Sequence, residues 1–402
     1  MALTASSLIA SVNKKIHNAK AKLGGDSEIR RILNEALRIL RGEIDLIGLK
    51  RQSTPFIVYK NIYEYPAPTD LSYDKIVEFV DDSDVNLVFE KTTPKEFYSN
   101  RNPELGTTFR RDVISFDNPL GQKLDGVYSI EMEDGSPYLL VRHSFSLTTT
   151  ILHNGDTYDG NGTWAASDDA TNVYTDTQVY KEGTGSVTFD SLGGTTAVSI
   201  ANATMTAVDL SSISTKGKVF VYVYLPAVPS SITLRWGSSS TDYWQASITT
   251  RHNGLAFKVG WNLISAQWPS SASLGSPSAT AVDYAKITLT YASAAVRTGY
   301  RIDSLMFALG RGVSAKYYST YGVTNSSGTR QEQFTDNGDT SVLREDEDDI
   351  LIQQATQIAL KELREFNEAA DHLERDLKPM KTSYALKNPS QNEMRSYTYY
   401  HT

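Results

Sequence analysis

The side chains that perform most enzyme chemistry are few and scattered in this sequence. Its six histidines are far apart along the chain, at His17, His143, His153, His252, His372 and His401. The sequence contains no His-Glu-x-x-His zinc motif, no Gly-x-Ser-x-Gly nucleophile elbow and no Gly-Lys-Ser/Thr phosphate loop. Cysteine is absent, which excludes disulfides, thiolate metal sites and cysteine nucleophiles. The sequence therefore predicts no enzyme, no cofactor and no metal, although two carboxylates remote in the chain could still form a glycosidase site.

Aromatic side chains in the middle of the chain are candidates for a binding site. All five tryptophans lie between Trp164 and Trp268. Flat rings can stack on the faces of sugars, and large aromatic residues also fill the cores of β-sandwiches. A glycan platform is therefore one of two interpretations of Trp236, Tyr243, Trp244, Trp261 and Trp268.

Oxygen-bearing side chains in the same region form a second candidate site. Carboxylate and amide oxygens are the ligands that Ca²⁺ prefers. They are frequent here, at Asp156, Asp159, Asn161, Asp168, Asp169 and Asn172. Their spacing does not match the EF-hand loop, so bound calcium remains an alternative and not the expectation.

Charge density divides the chain into parts. At about 150 residues per domain, 402 residues predict two or three domains. Residues 151–310 carry 20 charged side chains among 160 residues, against 66 among the other 242. This Ser/Thr/Gly-rich region also contains seven or more short segments of strand-forming residues, including 218–224, 232–236 and 286–290. It is predicted to be an inserted all-β sandwich of the jelly-roll type.

The N-terminal flank is predicted to be partly helical. Leu8, Val12, Ile16, Ala19 and Leu23 form one apolar stripe at helical spacing, which Gly24-Gly25 ends, and a second helix runs on to Gly48. Residues 56–141 then contain strand-like segments. Residues 1–150 are therefore expected to contain a helical hairpin beside a small sheet.

The C-terminal flank, 311–378, is predicted to contain a β segment and one long helix. An apolar seam follows the acidic run 345–349, at Ile352, Ala355, Ala359, Leu363, Phe366, Ala370, Leu373 and Leu377. A seam of this length predicts a single helix of about 40 Å whose solvated acidic residues match the helix dipole. Pro379 is expected to end the helix. Residues 379–402 are then an extended tail that docks on a partner through Tyr384, Pro389, Tyr397, Tyr399 and Tyr400. The predicted fold class is α+β and multidomain.

Two resemblances follow from short motifs. In the central region, Gly183 to Phe189, Gly260-Trp261-Asn262 and Arg301-Ile302-Asp303 resemble the strands and turns of carbohydrate-binding-module jelly rolls. The flanks, about 1–145 and 311–402, resemble the head-to-tail adaptor (connector, or neck) proteins of tailed bacteriophages. The motifs that carry this second resemblance are Arg31 to Ala36, Phe56 to Tyr59, Tyr65 to Leu71, Lys316 to Ser319, Leu343 to Asp346 and Asn388 to Gln391.

The adaptor resemblance implies a structural virion protein. Such a protein is expected to form a twelve-copy ring below the portal, to bind the portal and a tail or stopper protein, and to let DNA pass without sequence-specific binding. The net charge of −8 agrees with a channel in which DNA slides. Assembly in the host cytoplasm without a membrane is expected, since the apolar runs are too short to span one. The alternative function is glycan binding through the jelly roll.

Overall fold

The computed structural model describes residues 3–17, 19–81, 85–99 and 125–388. The chain forms two compact units. Unit 1 contains Met1–Thr54, Pro68–Val80 and Ser314–Thr402, and unit 2 contains Pro55–Ala67 and Asp81–Val313.

The described helices are, in chain order, α1 Ala5–Lys15, α2 Ala19–Leu23, α3 Asp26–Glu43, α4 Pro94–Ser99, α5 Ser211–Ser214, α6 Glu345–Glu362, α7 Phe366–His372 and α8 Lys378–Lys387. Short 3-10 helices occupy Ile47–Leu49 and Trp268–Ser270, and a π-helix occupies Leu373–Leu377. The strands outside the central region are β1 Lys50–Gln52, β2 Phe56–Val58, β3 Glu64–Pro66, β4 Leu71–Asp81, β5 Asn86–Leu87, β6 Phe89–Lys91, β7 Gly126–Glu133 and β8 Ser136–His143. The central strands are β9 Thr149–His153, β10 Trp164–Asp168, β11 Ala170–Asp176, β12 Ser186–Leu192, β13 Ala197–Asn202, β14 Lys218–Leu225, β15 Ser231–Gly237, β16 Tyr243–Ile248, β17 Gly260–Gln267, β18 Ala272–Leu274, β19 Tyr284–Thr290 and β20 Val296–Ala308. The last strands are β21 Arg311–Ser319, β22 Val323–Thr324, β23 Arg330–Gln331 and β24 Thr340–Ser341.

Most of unit 2 is a β-sandwich. Its first sheet has the strand order β10-β13-β19-β15-β16-β18, and its second has the order β11-β12-β20-β14-β17 with β9 on β20. Every pairing with a described register in these two sheets is antiparallel. The predicted inserted sandwich is therefore confirmed.

The sandwich core follows from period-2 alternation along the strands. In β15, Ile232, Leu234 and Trp236 are buried between the sheets, while Thr233 and Arg235 lie on the other face. In β14, Val219, Val221, Val223 and Leu225 are buried in the same core. Because both sheets alternate, each presents one apolar face to the core and leaves the other face for other contacts.

A smaller sheet of order β3-β8-β7-β6 also belongs to unit 2. Glu133, at the end of β7, accepts hydrogen bonds from Arg251 at 2.6 Å and Lys258 at 3.0 Å. The Tyr59 ring packs edge-on against Phe220 of β14, with centroids 4.9 Å apart. These contacts cover part of the outer face of the second sandwich sheet. The division of the chain at residues 150, 310 and 378 stays a prediction.

Unit 1 packs its helices around one apolar core. Buried side chains of α1, α3 and α6 share this core with Val323 and Phe334. The Arg31 guanidinium of α3 also reaches the Glu362 carboxylate of α6 at 2.5 Å. In the same unit, β1 pairs with residues 316–318 of β21. Helices distant in the sequence are therefore brought together by this core.

The predicted α+β fold class is wrong. Strands hold 40% of the described residues and helices 25%, so the protein is mostly β. The adaptor core expected from a two-helix hairpin and one long C-terminal helix is not supported. The first stripe is broken at His17, whose φ is 44°, and the C-terminal seam is broken at Arg364, whose φ is 62°. Apolar spacing does not reveal such turns, and Phe366, expected in the middle of the seam, is 64% exposed.

Two further expectations about the C-terminal part are corrected. The acidic run is not wholly solvated, because Glu347 and Asp348 are fully buried in the first turn of α6. Pro379 does not end a helix, because it lies in the first turn of α8, where a missing backbone N–H is tolerated. Among the described helices, none combines the length and the apolar character that crossing a bilayer requires.

Candidate functional site

The outer face of the first sandwich sheet collects polar side chains from five strands. We call this set the polar face; it consists of Ser167, Asp168, Ser199, Arg235, Tyr243, Gln245, Tyr284 and Lys286. Alternation places all of these residues except Asp168 opposite the core-facing side of their strands. The Asp168 side chain joins the set where the backbone turns at the end of β10, with φ 50°.

One row of the polar face is cationic. In the strand register Arg235 lies opposite Gln245 on one side and Lys286 on the other. Arg235 Nε donates a hydrogen bond to Gln245 Oε1 at 3.2 Å. Two long basic side chains therefore lie side by side near the middle of the sheet.

The next row is aromatic. Gly237 lies opposite both Tyr243 and Tyr284, and the two tyrosine rings approach each other with centroids 6.3 Å apart. Position 237 has no room for a side chain, because a Cβ there would lie 2.5 Å from the Cα of Tyr243. The rings are 5% and 4% exposed, and burial raises the pKa of Tyr284. They form the floor of this part of the face and not an open platform.

The charge of Lys286 is balanced within the face. Its Nζ lies 2.9 Å from Asp168 Oδ2 and donates to Ser167 Oγ at 3.0 Å. The Asp168 carboxylate also accepts a hydrogen bond from the Ser199 hydroxyl. The bond from Ser199 and the bond from Lys286 together hold the pKa of Asp168 below its usual value. This corner is thus a fixed network of donors and acceptors.

The predicted aromatic platform is not assembled as a unit. Trp236 is fully buried in the core, and Trp244 packs from the same inner side against Trp268 at 5.0 Å between centroids. Tyr243 lies on the polar face. Trp261 lies on the outer face of the second sheet, where its ring is 5.5 Å from that of Tyr224.

Several of the residues considered for calcium instead bind backbone groups in loops. Asp169 accepts hydrogen bonds from the backbone N–H groups of Gly193 and Gly194, and Asp156 accepts one from the N–H of Thr184. Asn161 bridges the backbone at Leu152 and Thr206. The described residues contain no group of three or more His, Cys, Asp or Glu side chains placed to hold a metal ion.

The predicted docking tail is placed only at its first residue. Tyr384 lies in α8, is 4% exposed and donates its hydroxyl hydrogen to Glu347 within unit 1. It is therefore a packed residue of that unit. Pro389, Tyr397, Tyr399 and Tyr400 lie outside the described residues.

Sequence reasoning did not identify Arg235, Gln245, Tyr284 or Lys286 as site residues, and it considered Asp168 only for calcium. The signal that could have found them is alternation. Arg235 stands between the apolar residues Leu234 and Trp236, and Lys286 stands between Ala285 and Ile287. Charged residues at the outward positions of adjacent strands share one face once the strand order is known.

A buried carboxyl group in the sandwich gives a pH prediction. Asp303 is 1% exposed; its Oδ2 accepts from the backbone N–H groups of Lys181 and Glu182 at 2.8 Å, and its Oδ1 has no hydrogen-bond partner. Burial raises its pKa to about 7, from an ordinary value of 3.8. The unfolded chain therefore loses this proton at lower pH than the folded protein does. The contribution of the protonated Asp303 carboxyl to the free energy of unfolding is present below about pH 4 and is lost as the pH rises through about 7.

Asp303→Asn is expected to remove this loss, because an amide oxygen can still accept from the two backbone N–H groups and carries no charge. Near pH 4 the two proteins should be similarly stable, and above pH 7 the variant should gain up to ~4 kcal/mol, at about 1.4 kcal/mol per pKa unit. Unfolding followed by tryptophan fluorescence reports unit 2 alone, since all five tryptophans belong to it. Parallel pH profiles for the variant and the parent would contradict the prediction.

Comparisons with known proteins match part of this chain to solved structures. No family model and no curated protein matches the sequence. Among solved structures, a family 11 carbohydrate-binding module from Clostridium thermocellum, in complex with a β-1,3-1,4-mixed-linked tetrasaccharide, is 11% identical. The match covers 40% of this chain and 96% of that module, with a TM-score of 0.29.

Two other modules match to a similar extent. A family 30 carbohydrate-binding module is 10% identical, with 40% of this chain and 98% of the module covered and a TM-score of 0.30. The C-terminal family 22 module of Clostridium thermocellum Xyn10B is 14% identical, with 40% and 92% covered and a TM-score of 0.22. These scores are too low to carry an argument about function. The case for a site rests on the polar face itself.

Proposed function

We propose that this protein binds glycans through the polar face. The observation that carries the proposal is that these side chains hold each other in two pairs, Arg235 with Gln245 and Lys286 with Asp168. Sugars present many hydroxyl groups in defined directions, and a surface of fixed donors and acceptors binds them with little loss of side-chain freedom. Other outer-face residues of these strands, such as Thr233 and Thr288, add hydroxyl groups beside the network.

The buried tyrosines define the kind of contact expected. Because Tyr243 and Tyr284 are 5% and 4% exposed, a sugar cannot stack on their full faces. The Tyr243 ring supports the Arg235 guanidinium from below, with the guanidinium carbon 4.7 Å from the ring centroid. The proposed binding therefore depends mainly on hydrogen bonds to the polar side chains above them.

The test is binding of the full chain to a panel of soluble polysaccharides by affinity electrophoresis. Lys286→Ala and Gln245→Ala, which remove donors from the centre of the face, should each weaken binding about tenfold. Trp261→Ala is the matched control, since Trp261 lies on the other sheet, and it should leave binding unchanged. If Trp261→Ala abolishes binding and the other two variants bind normally, the polar face is not the site.

No finding favours the head-to-tail adaptor over this function, so the glycan-binding alternative takes its place. The twelve-copy ring, the portal and stopper partners, the passage of DNA and the location in a virion stay predictions of the resemblance alone. Electron microscopy of the purified protein tests them. Closed rings would support the adaptor, and monomers at high concentration would count against it.

A further inference from the structure

Arg235 is the charged residue of the polar face that has no partner of opposite charge. No carboxylate in the described chain lies within 4.0 Å of its nitrogens, whereas the neighbouring Lys286 is paired with Asp168 at 2.9 Å. Asp168 is bonded directly to Lys286 and Ser199 and makes no ion pair with Arg235, although the charge of Arg235 helps to lower the pKa of Asp168. Within the described residues, the guanidinium in the middle of the face therefore has no carboxylate in direct contact with it.

The guanidinium of Arg235 is held in one orientation. Its Nε donates a hydrogen bond to Gln245 Oε1 at 3.2 Å, and its Cζ lies over the Tyr243 ring, 4.7 Å from the centroid. Within the described residues, no group accepts a hydrogen bond from either of its terminal nitrogens. Two parallel N–H donors on a planar cation match the two oxygens of a carboxylate or of a sulfate ester.

The surroundings increase the effect of this charge. Arg235 is half-buried, on a floor formed by two buried tyrosine rings. Charge-assisted hydrogen bonds at partly buried positions are stronger and less screened by salt than those on open surface. A neutral sugar hydroxyl would occupy these donors without balancing the charge, whereas an anionic group would do both.

We propose, on the basis of the glycan-binding function above, that the polar face selects acidic glycans and that Arg235 binds their anionic group. The ligand class is a polysaccharide bearing carboxylate, as in uronic acids, or sulfate ester. Lys286, Gln245 and the hydroxyl-bearing residues then contact the neighbouring sugar hydroxyls.

The experiment compares pairs of polymers that share a sugar backbone and differ in their charged substituents. Polygalacturonate is paired with highly methyl-esterified pectin, and dextran sulfate with dextran; binding of the full chain is measured for each by affinity electrophoresis and calorimetry. The anionic member of at least one pair should bind about tenfold or more tightly than its neutral counterpart. Preference within the first pair identifies carboxylate, and preference within the second identifies sulfate ester.

Variants assign the preference to one side chain. Arg235→Gln should remove the preference for the charged polymer. Arg235→Lys keeps the positive charge but lacks the two parallel N–H donors of the guanidinium, so it should retain the preference only in part. The matched control is Arg297→Gln. Arg297 also stacks on a tyrosine, at 4.0 Å from the Tyr291 ring centroid, but belongs to the second sheet and should not affect the preference.

The outcomes separate the two proposals. The acidic-glycan inference would be overturned if the neutral polymers bind as tightly as the charged ones or more tightly, and if Arg235→Gln binds them as the parent does. The proposed glycan binding would still stand. Charge preference that survives Arg235→Gln would overturn the role of Arg235. Absence of binding to all four polymers, together with none on a neutral glycan panel, would overturn both. Far-ultraviolet circular dichroism of each variant establishes that it is folded.

Discussion

Trp236→Ala is expected to destabilise the β-sandwich by about 3–5 kcal/mol. Trp236 is fully buried, with its ring 5.8 Å from that of Trp268 and 6.5 Å from that of Phe307. Its indole N–H has no hydrogen-bond partner, so the loss comes from burial and from the cavity left behind. The two rings around it belong to different elements, a 3-10 helix and a strand, and cannot both close into that space.

Urea unfolding, monitored by the fluorescence of the remaining tryptophans, measures the decrease in the free energy of unfolding of unit 2. Trp261→Ala removes the same side chain from the outer face of the second sheet, where it packs edge-on against Tyr224 at 5.5 Å. It should cost only about 1 kcal/mol. Equal losses in the two variants would mean that Trp236 does not occupy the core.

Glu347→Ala is expected to destabilise unit 1 by about 3–5 kcal/mol. Glu347 is fully buried, and its carboxylate accepts hydrogen bonds from the N–H of Gly48 at 3.1 Å and the N–H of Arg344 at 2.9 Å. It also accepts one from the hydroxyl of Tyr384. The alanine variant leaves these donors unsatisfied in a buried place, so α6 loses its attachment to the segment before β1 and to α8.

Far-ultraviolet circular dichroism is the appropriate measurement, because the long helices belong to unit 1. Asp349→Ala is the matched control: this acidic residue lies two positions away in the same helical turn and is exposed. It should cost less than about 1 kcal/mol, from the weakened interaction with the helix dipole. If both variants melt alike, Glu347 acts only as a solvated residue of the acidic run.

The sequence alone was sufficient for features that depend on local pattern. Alternation and turn residues between 151 and 310 predicted a β-sandwich, since a strand with one buried face must repeat every two residues. The low charge density of this region indicated a separate all-β part. The absence of cysteine and of catalytic motifs could also be read directly.

Helix continuity could not be read in this way. The spacings of Leu8 to Leu23 and of Ile352 to Leu377 fit single helices, yet the backbone turns at His17 and at Arg364. Apolar spacing records which side chains are buried, and it does not require that they be buried by one straight helix. The predicted hairpin and the predicted single C-terminal helix failed for this reason, whereas the fold class failed because strands hold 40% of the described residues.

Side-chain environment was decided by tertiary structure alone. Within the acidic run, Glu347 is buried and Asp349 is exposed, although nothing in the run distinguishes them before Gly48 and Tyr384 are placed nearby. Likewise Trp236 and Tyr243 were equal candidates for a platform, and strand register put the first in the core and the second on the polar face.

The composition of the polar face was also decided by tertiary structure. Arg235, Gln245 and Lys286 come from three strands, of which β19 is distant in the sequence from β15 and β16. Each strand pattern determines which of its residues point outward. Which outward residues become neighbours depends on strand order and register, and these are set by the packing of the whole sandwich and not by any one segment.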